Sequence, residues 1–100
     1  MLKIKDLSMG NSRVSVEGVV VSKSEPRKVK TKMGEDAQVA DCVIEDDSGR
    51  ITMSLWNTQI EQVNVGDHVR IENGYITSFR SELRLNVGKY GKLFVNGSLV

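Results

Sequence analysis

The sequence predicts an all-β domain, and three observations carry that prediction. The apolar residues are biased towards β-branched types, with 14 Val and 6 Ile against 2 Ala, and branching at Cβ favours pleated sheet over helix. Nine glycines and one proline punctuate short runs in which apolar residues recur at alternate positions, the period of a half-buried strand. The length, 100 residues, is that of one domain (residues 1–100), which can bury roughly two thirds of its unfolded surface and needs neither metal nor disulfide to fold.

Residues 1–12 read as a lead-in, with Ile4 and Leu7 packed on the body and Gly10-Asn11-Ser12 as a turn. Residues 13–22 alternate at Val14 and Val16, then run through Gly18 into Val19-Val20-Val21. Alternation that becomes continuous around a glycine predicts a bent strand shared by both sides of a small barrel. Residues 23–35 form a basic loop broken by Pro26 and Gly34, and 37–45 a second strand with Ala40, Cys42 and Ile44 on one face. Asp46-Asp47-Ser48-Gly49 suits a tight hairpin turn. The third strand points Ile51, Met53 and Leu55 one way and Thr52, Ser54 and Trp56 the other. Ile60 and Val63, three apart, predict a short helical turn before Gly66. A fourth strand buries Val69 and Ile71, a fifth passes through Leu83, Leu85 and Val87, and a tail strand at 93–95 closes the edge. This order is a five-stranded Greek-key barrel of the OB type, with a short helix between the third and fourth strands.

Composition removes most other classes. Hydrophobic residues at 39% and charged residues at 27% are an ordinary globular balance. No apolar run approaches the roughly 20 residues of a membrane span, and the N-terminus lacks the apolar core of a secretory signal. A single cysteine, Cys42, excludes an internal disulfide, fits a reducing compartment and has core parity; cytoplasmic localisation is expected. With one histidine, His68, there is no Cys/His cluster for a metal and little capacity for general-base chemistry. Glu45-Asp46-Asp47 reads as a turn, not a metal site, and no segment resembles a phosphate-binding glycine loop. No cofactor, metal or catalysed reaction is expected.

What remains is charge and aromaticity. Residues 23–32 hold Lys23, Arg27, Lys28, Lys30 and Lys32 against Glu25, a net +4 on a chain whose total is +1. Such a concentration is a candidate footprint for a polyanion, its rival being a solvated loop. Of five aromatic residues, Trp56 lies opposite the core face of its strand. Tyr75 and Phe79 face outward if Asn73-Gly74 is a one-residue bulge, which inverts the parity of all that follows. Without the bulge, Tyr75 joins the core; Tyr90 and Phe94 are assigned to core or edge closure. Outward rings beside Arg and Lys suit unstacked nucleobases.

Asp46-x-Ser48-Gly49, Leu55-Trp56, Gly66-Asp67, Ile71 with Gly74-Tyr75, Phe79-Arg80 and Leu85-Asn86-x-Gly88 occur in that order. With the loop ending Lys30-Thr31-Lys32-Met33-Gly34, they resemble the short single-stranded DNA-binding proteins of archaea and the small eukaryotic OB-fold partners of repair complexes. The likeness spans about residues 5–95. It implies stacking of bases on Trp56, Tyr75 and Phe79. It also implies phosphate contacts from Arg27, Lys28, Lys30 and Lys32 in the first loop and from Arg80 and Arg84 in the last hairpin. Eukaryotic relatives place an aromatic where this chain has Asn86, and many members continue into a tail that recruits partners; the sequence stops at Val100 without one, so either such a tail is trimmed or partners are recruited by another surface. The function expected is sequence-tolerant binding of single-stranded DNA in replication, recombination or repair, with proteins of those processes as partners. The alternatives are an RNA-binding OB domain and a protein-interaction barrel within a larger complex.

Overall fold

The computed structural model describes residues 2–100. A 3-10 turn (Ile4–Asp6) precedes strands β1 (Ser12–Lys23), β2 (Arg27–Lys30), β3 (Asp36–Asp46) and β4 (Gly49–Trp56), the short helix α1 (Gln59–Gln62), then β5 (His68–Phe79), β6 (Glu82–Asn86), β7 (Lys92–Val95) and β8 (Ser98–Leu99). Five strands close a barrel in the order β1-β3-β4-β6-β5, sealed where β5 returns to β1. All of these pairings are antiparallel except β4 with β6, which run parallel through Thr52–Arg84 and Met53–Leu85. This is the closed OB barrel.

Two expectations need correction. The basic stretch at 23–35 is not wholly loop: Arg27–Lys30 pair with Asp36–Val39 as a hairpin that prolongs the β3 edge. That extra strand places the helix between β4 and β5, not between the third and fourth strands, and the helix is a single turn of four residues. Ile60 and Val63 are buried at the barrel end, where the Lys23 ammonium donates a hydrogen bond to the Ile60 carbonyl.

β1 serves both sides of the barrel. Its first part pairs with β5 and its last with β3, and Val19 lies opposite both His68 and Glu45. A Cβ on Gly18 would stand 2.7 Å from the Glu45 carbonyl oxygen, so the strands approach closely enough only with glycine there. The interior is filled by Val16, Val20, Cys42, Ile44, Met53, Leu55, Ile71 and Leu85, none more than 1% exposed. Burial pushes the Cys42 thiol up to about 11, although Lys23 opposes it, so the group is an inert apolar filler.

Asp46 ties the lead-in to the barrel. Its carboxylate accepts the backbone N–H groups of Ile4 (2.9 Å), Ser48 (2.7 Å) and Gly49 (3.1 Å) and the Ser48 hydroxyl (2.6 Å). Desolvation alone would raise this carboxyl, but the four hydrogen bonds together outweigh it and hold the group at about 2, below its ordinary 3.8. A depressed folded-state value contributes stability that is fully present above the unfolded value and is lost as pH falls through the folded one. Between pH 4 and pH 2 the chain should therefore lose about 1 kcal/mol from this group, after allowance for solvent screening. Urea unfolding of Asp46→Ala should show that loss already at pH 7 and a flatter acid limb; an acid limb of wild-type steepness would contradict the assignment.

Candidate nucleic-acid interface

The candidate face is built by β4, β6 and β5. Paired residues in a sheet share a face, so register alone brings side chains together. Tyr75 lies opposite Asn86, Thr77 opposite Arg84 and Phe79 opposite Glu82; Arg84 in turn lies beside Thr52. At the upper end Trp56 pairs with Val39, and Val39 with Arg27. The result is one outward surface carrying Trp56 (42% exposed), Tyr75 (42%) and Phe79 (54%).

The parity inversion in β5 makes this possible. Val69 and Ile71 point inward, and so do Gly74 and Ile76. The reset is a bulge: Val14 opposes Gly74 but Val16 opposes Ile71, so β5 spends three residues where β1 spends two. Asn73 supplies the left-handed backbone (φ +60°), a conformation Asn tolerates better than most residues. Gly74 is required for space, since a Cβ there would stand 2.8 Å from the Asn86 carbonyl oxygen and 2.9 Å from the Ile71 Cγ2.

Each ring has its own support. Trp56 ends β4, where its backbone N–H donates to the Gln59 side-chain oxygen (3.0 Å) and Asn57 (φ +52°) exchanges hydrogen bonds with the Gln38 backbone at 2.9 and 3.0 Å. Tyr75 leans on Gly88, where an added Cβ would meet the ring at 2.7 Å. Two guanidiniums lie over the Phe79 ring, Arg80 at 5.2 Å and Arg84 at 5.3 Å from its centroid, within cation–π range.

The expected phosphate contacts separate into groups. Arg84 is largely covered and donates to Asp41 at 2.8 and 3.5 Å, and Arg27 reaches the same carboxylate at 3.5 Å. Partial burial would raise the Asp41 carboxyl, but the hydrogen bonds and charges of the two arginines prevail and hold it below the usual carboxylate range. The trio keeps a net positive charge on the stacking face. Lys28 and Lys30 have the opposite parity to Arg27 on β2 and face the reverse of the hairpin, Lys30 lying 3.9 Å from Asp36. Lys32 occupies the exposed tip. Asn86 presents no ring but ties Thr77 to β6 through a 3.0 Å hydrogen bond.

Alternation alone assigns Tyr90 and Phe94 to core or edge closure. Phe94 is half-buried beneath Arg70, 4.3 Å from its ring centroid. Tyr90 is corrected: it is 77% exposed, because the chain arches away from the sheet after Val87 and alternation no longer governs its direction. Among the described residues no group of three or more His, Cys, Asp and Glu could hold a metal ion, and no helix is long and apolar enough to cross a membrane.

The sequence profile of the family described as single-stranded DNA binding protein Ssb-like, OB fold, matches residues 7–95. The chain belongs to this family. It is 30% identical over 91 residues to the single-stranded DNA binding protein Ssb of Saccharolobus solfataricus, covering 91% of this chain and 61% of that protein. It is 32% identical over 88 residues to replication factor A of Methanothermobacter thermautotrophicus, covering 87% of this chain but 11% of that protein. The Ssb-like barrel thus spans about 61% or less of the length of these two relatives. Among solved structures, an OB domain from Thermoplasma acidophilum superposes with a TM-score of 0.78 at 29% identity, covering 94% of this chain and 84% of that one. A replication factor A related protein from Methanobacterium thermoautotrophicum gives 0.78 at 26% identity, with 95% and 89% covered.

One element of this Ssb-like face is strained. Phe79 and Glu82 flank a two-residue turn in which both Arg80 (φ +53°) and Ser81 (φ +66°) are left-handed. Hairpin turns of that type favour Asn-Gly, and each ordinary residue held there costs about 1–2 kcal/mol. Replacing Arg80-Ser81 by Asn-Gly should therefore raise unfolding stability by about 1 kcal/mol or more, visible as a higher urea midpoint at unchanged slope. A lower midpoint would show that the Arg80 side chain contributes more to folding than its backbone costs.

Proposed function

We propose that the chain binds single-stranded DNA without marked sequence preference, laying the bases on Trp56, Tyr75 and Phe79 while Arg80, Arg84 and Arg27 hold phosphates. The observation that carries this reading is the single outward face on which three large rings and the two guanidiniums over Phe79 stand together. An exposed aromatic surface of this kind usually marks an interaction site. Every base has a π-face, so stacking is tolerant of sequence and worth roughly 1–3 kcal/mol per base. Three platforms with a few phosphate contacts reach micromolar affinity, about 8 kcal/mol. Membership of the Ssb-like family supports DNA as the ligand, and the sequence relatives named for DNA binding or replication support the same class.

The Arg27–Asp41–Arg84 trio suits this role. Asp41 holds two long cationic side chains in one geometry before ligand arrives, so less side-chain freedom is lost on binding. Lys28, Lys30 and Lys32 reach the strand from the hairpin's reverse side and tip, adding long-range attraction more than fixed contacts. Partners in replication or repair belong to the same proposal.

Titration with oligo(dT), followed by Trp56 fluorescence, tests the reading. Alanine at Trp56, Tyr75 or Phe79 should each cost about 1–3 kcal/mol of affinity. Unfolding stability should change by about 1 kcal/mol or less, against about 3–5 for a buried ring. Loss of folding without selective loss of binding would overturn the stacking surface. The Asn-Gly turn variant, although more stable, should bind more weakly because it lacks the Arg80 cation.

Salt gives an independent measurement. Log affinity should fall against log salt with a slope of about −0.7 for each phosphate neutralised on a single strand. Removing Lys28, Lys30 and Lys32 together should flatten it. An unchanged slope would move the phosphate path away from the hairpin. Matched RNA should compete no better than DNA; tighter RNA binding would instead favour a reader of the 2′-hydroxyl.

A further inference from the structure

We infer that the cleft between Tyr75 and Tyr90 is a fourth nucleotide position, extending the strand's path beyond the three rings; the inference rests on the single-stranded DNA reading above. Its origin lies in how β6 and β7 share one edge of β5. β6 pairs with Tyr75–Phe79 and β7 with Val69–Glu72, leaving Asn73 and Gly74 unpaired between them. Residues 87–91 arch over this gap, next to the bulge that turns Tyr75 outward.

The arch is a fixed piece of backbone. Gly88 has φ +77°, and a Cβ on Gly91 would overlap the Val87 carbonyl oxygen at 1.8 Å. The Asn73 side-chain amide donates to the Tyr90 carbonyl at 3.2 Å, fastening the arch to the bulge. Tyr90 is thereby held in water on an anchored backbone, more exposed than any of the three platform rings. Nothing in its packing accounts for a large ring at that position.

The surroundings indicate what the ring meets. Tyr75, Tyr90, Lys89, Arg13 and Asn73 line a cleft of about 240 Å³ whose walls carry no carboxylate. Lys89 Nζ lies 5.6 Å from the Tyr90 centroid, pairing a cation with a ring as Arg80 and Arg84 do at Phe79. Arg13, the second residue of β1 and itself left-handed (φ +53°), also lines the cleft. The cleft is smaller than the roughly 300–1,000 Å³ of ordinary small-molecule sites, which suits one nucleotide of a longer strand better than a free cofactor. Tyr75 forms one wall, so a strand leaving that platform enters the cleft directly. A base stacks on Tyr90 there, and its phosphate lies between Arg13 and Lys89.

Two oligo(dT) lengths separate the positions: about 3 nucleotides, enough for the three rings only, and about 12, within the roughly 4–16 nucleotides that one OB fold occupies. Tyr90→Ala should bind the longer strand about fivefold or more weaker than the unaltered chain. It should bind the shorter one equally and melt at the same temperature. Tyr90→Phe should retain full affinity, because stacking needs the ring and not the hydroxyl. Trp56→Ala should weaken both lengths. Wild-type binding of the longer strand by Tyr90→Ala, while Trp56→Ala is impaired, would overturn the fourth position alone. A loss in Tyr90→Phe as large as in Tyr90→Ala would overturn stacking there. Unimpaired binding by Trp56→Ala, Tyr75→Ala and Phe79→Ala would remove the stacking reading and this inference with it.

Discussion

A strand that seals a barrel along one half and displays rings along the other must reset its side-chain alternation partway. In β5 the reset is one added residue at Asn73–Gly74. Were that residue absent, Ile76 would turn out to solvent and Tyr75, Thr77 and Phe79 would turn in, because the period of a strand is two. The same irregularity leaves the gap between β6 and β7 from which residues 87–91 arch. The closing half of β5, the outward turn of Tyr75 and Phe79, and the cleft beside them are thus consequences of a single backbone event. Gly74 and Asn73 meet its two demands, space and a left-handed φ.

Charge on the face is arranged as carefully as shape. A lone guanidinium as covered as Arg84 would be costly to desolvate, and Asp41 offsets that cost. With Arg27 on the same carboxylate, the group retains one unit of positive charge and several free N–H donors. A planar donor fork held in place matches phosphate oxygens better than a mobile ammonium does. The lysines of the hairpin are free of that constraint and remain hydrated.

Most of this architecture is legible in the residues, for identifiable reasons. Strict alternation in Ile51–Trp56 leaves one assignment of faces, and Asn-Gly within an otherwise regular strand marks the bulge. Gly18 amid valines marks the shared, bent strand. β2 escapes a reading by periodicity because Arg27–Lys30 are mostly exposed; its only apolar member is Val29, and pairing with β3 makes it a strand. Tyr90 escapes for a different reason. Alternation assigns direction only while a chain remains in the sheet, and Gly88 ends that condition. The division of cations between free and paired, with Asp41 between two arginines from distant strands, depends on tertiary register. Neither spacing nor composition carries it.

Closing the barrel removes most strand edges, but among the described residues β2 beside β3 and β8 beside β7 end the sheet. Unpaired edges invite another molecule to add its own strand. β8 is only two residues long, and β2 follows Pro26 and carries Lys28 and Lys30. Neither offers a long, flat, apolar template. A long, flat, apolar edge is where sheets of separate molecules fuse into aggregates. A two-residue margin on one side and a lysine-bearing one on the other leave little for a second molecule's strand to pair with.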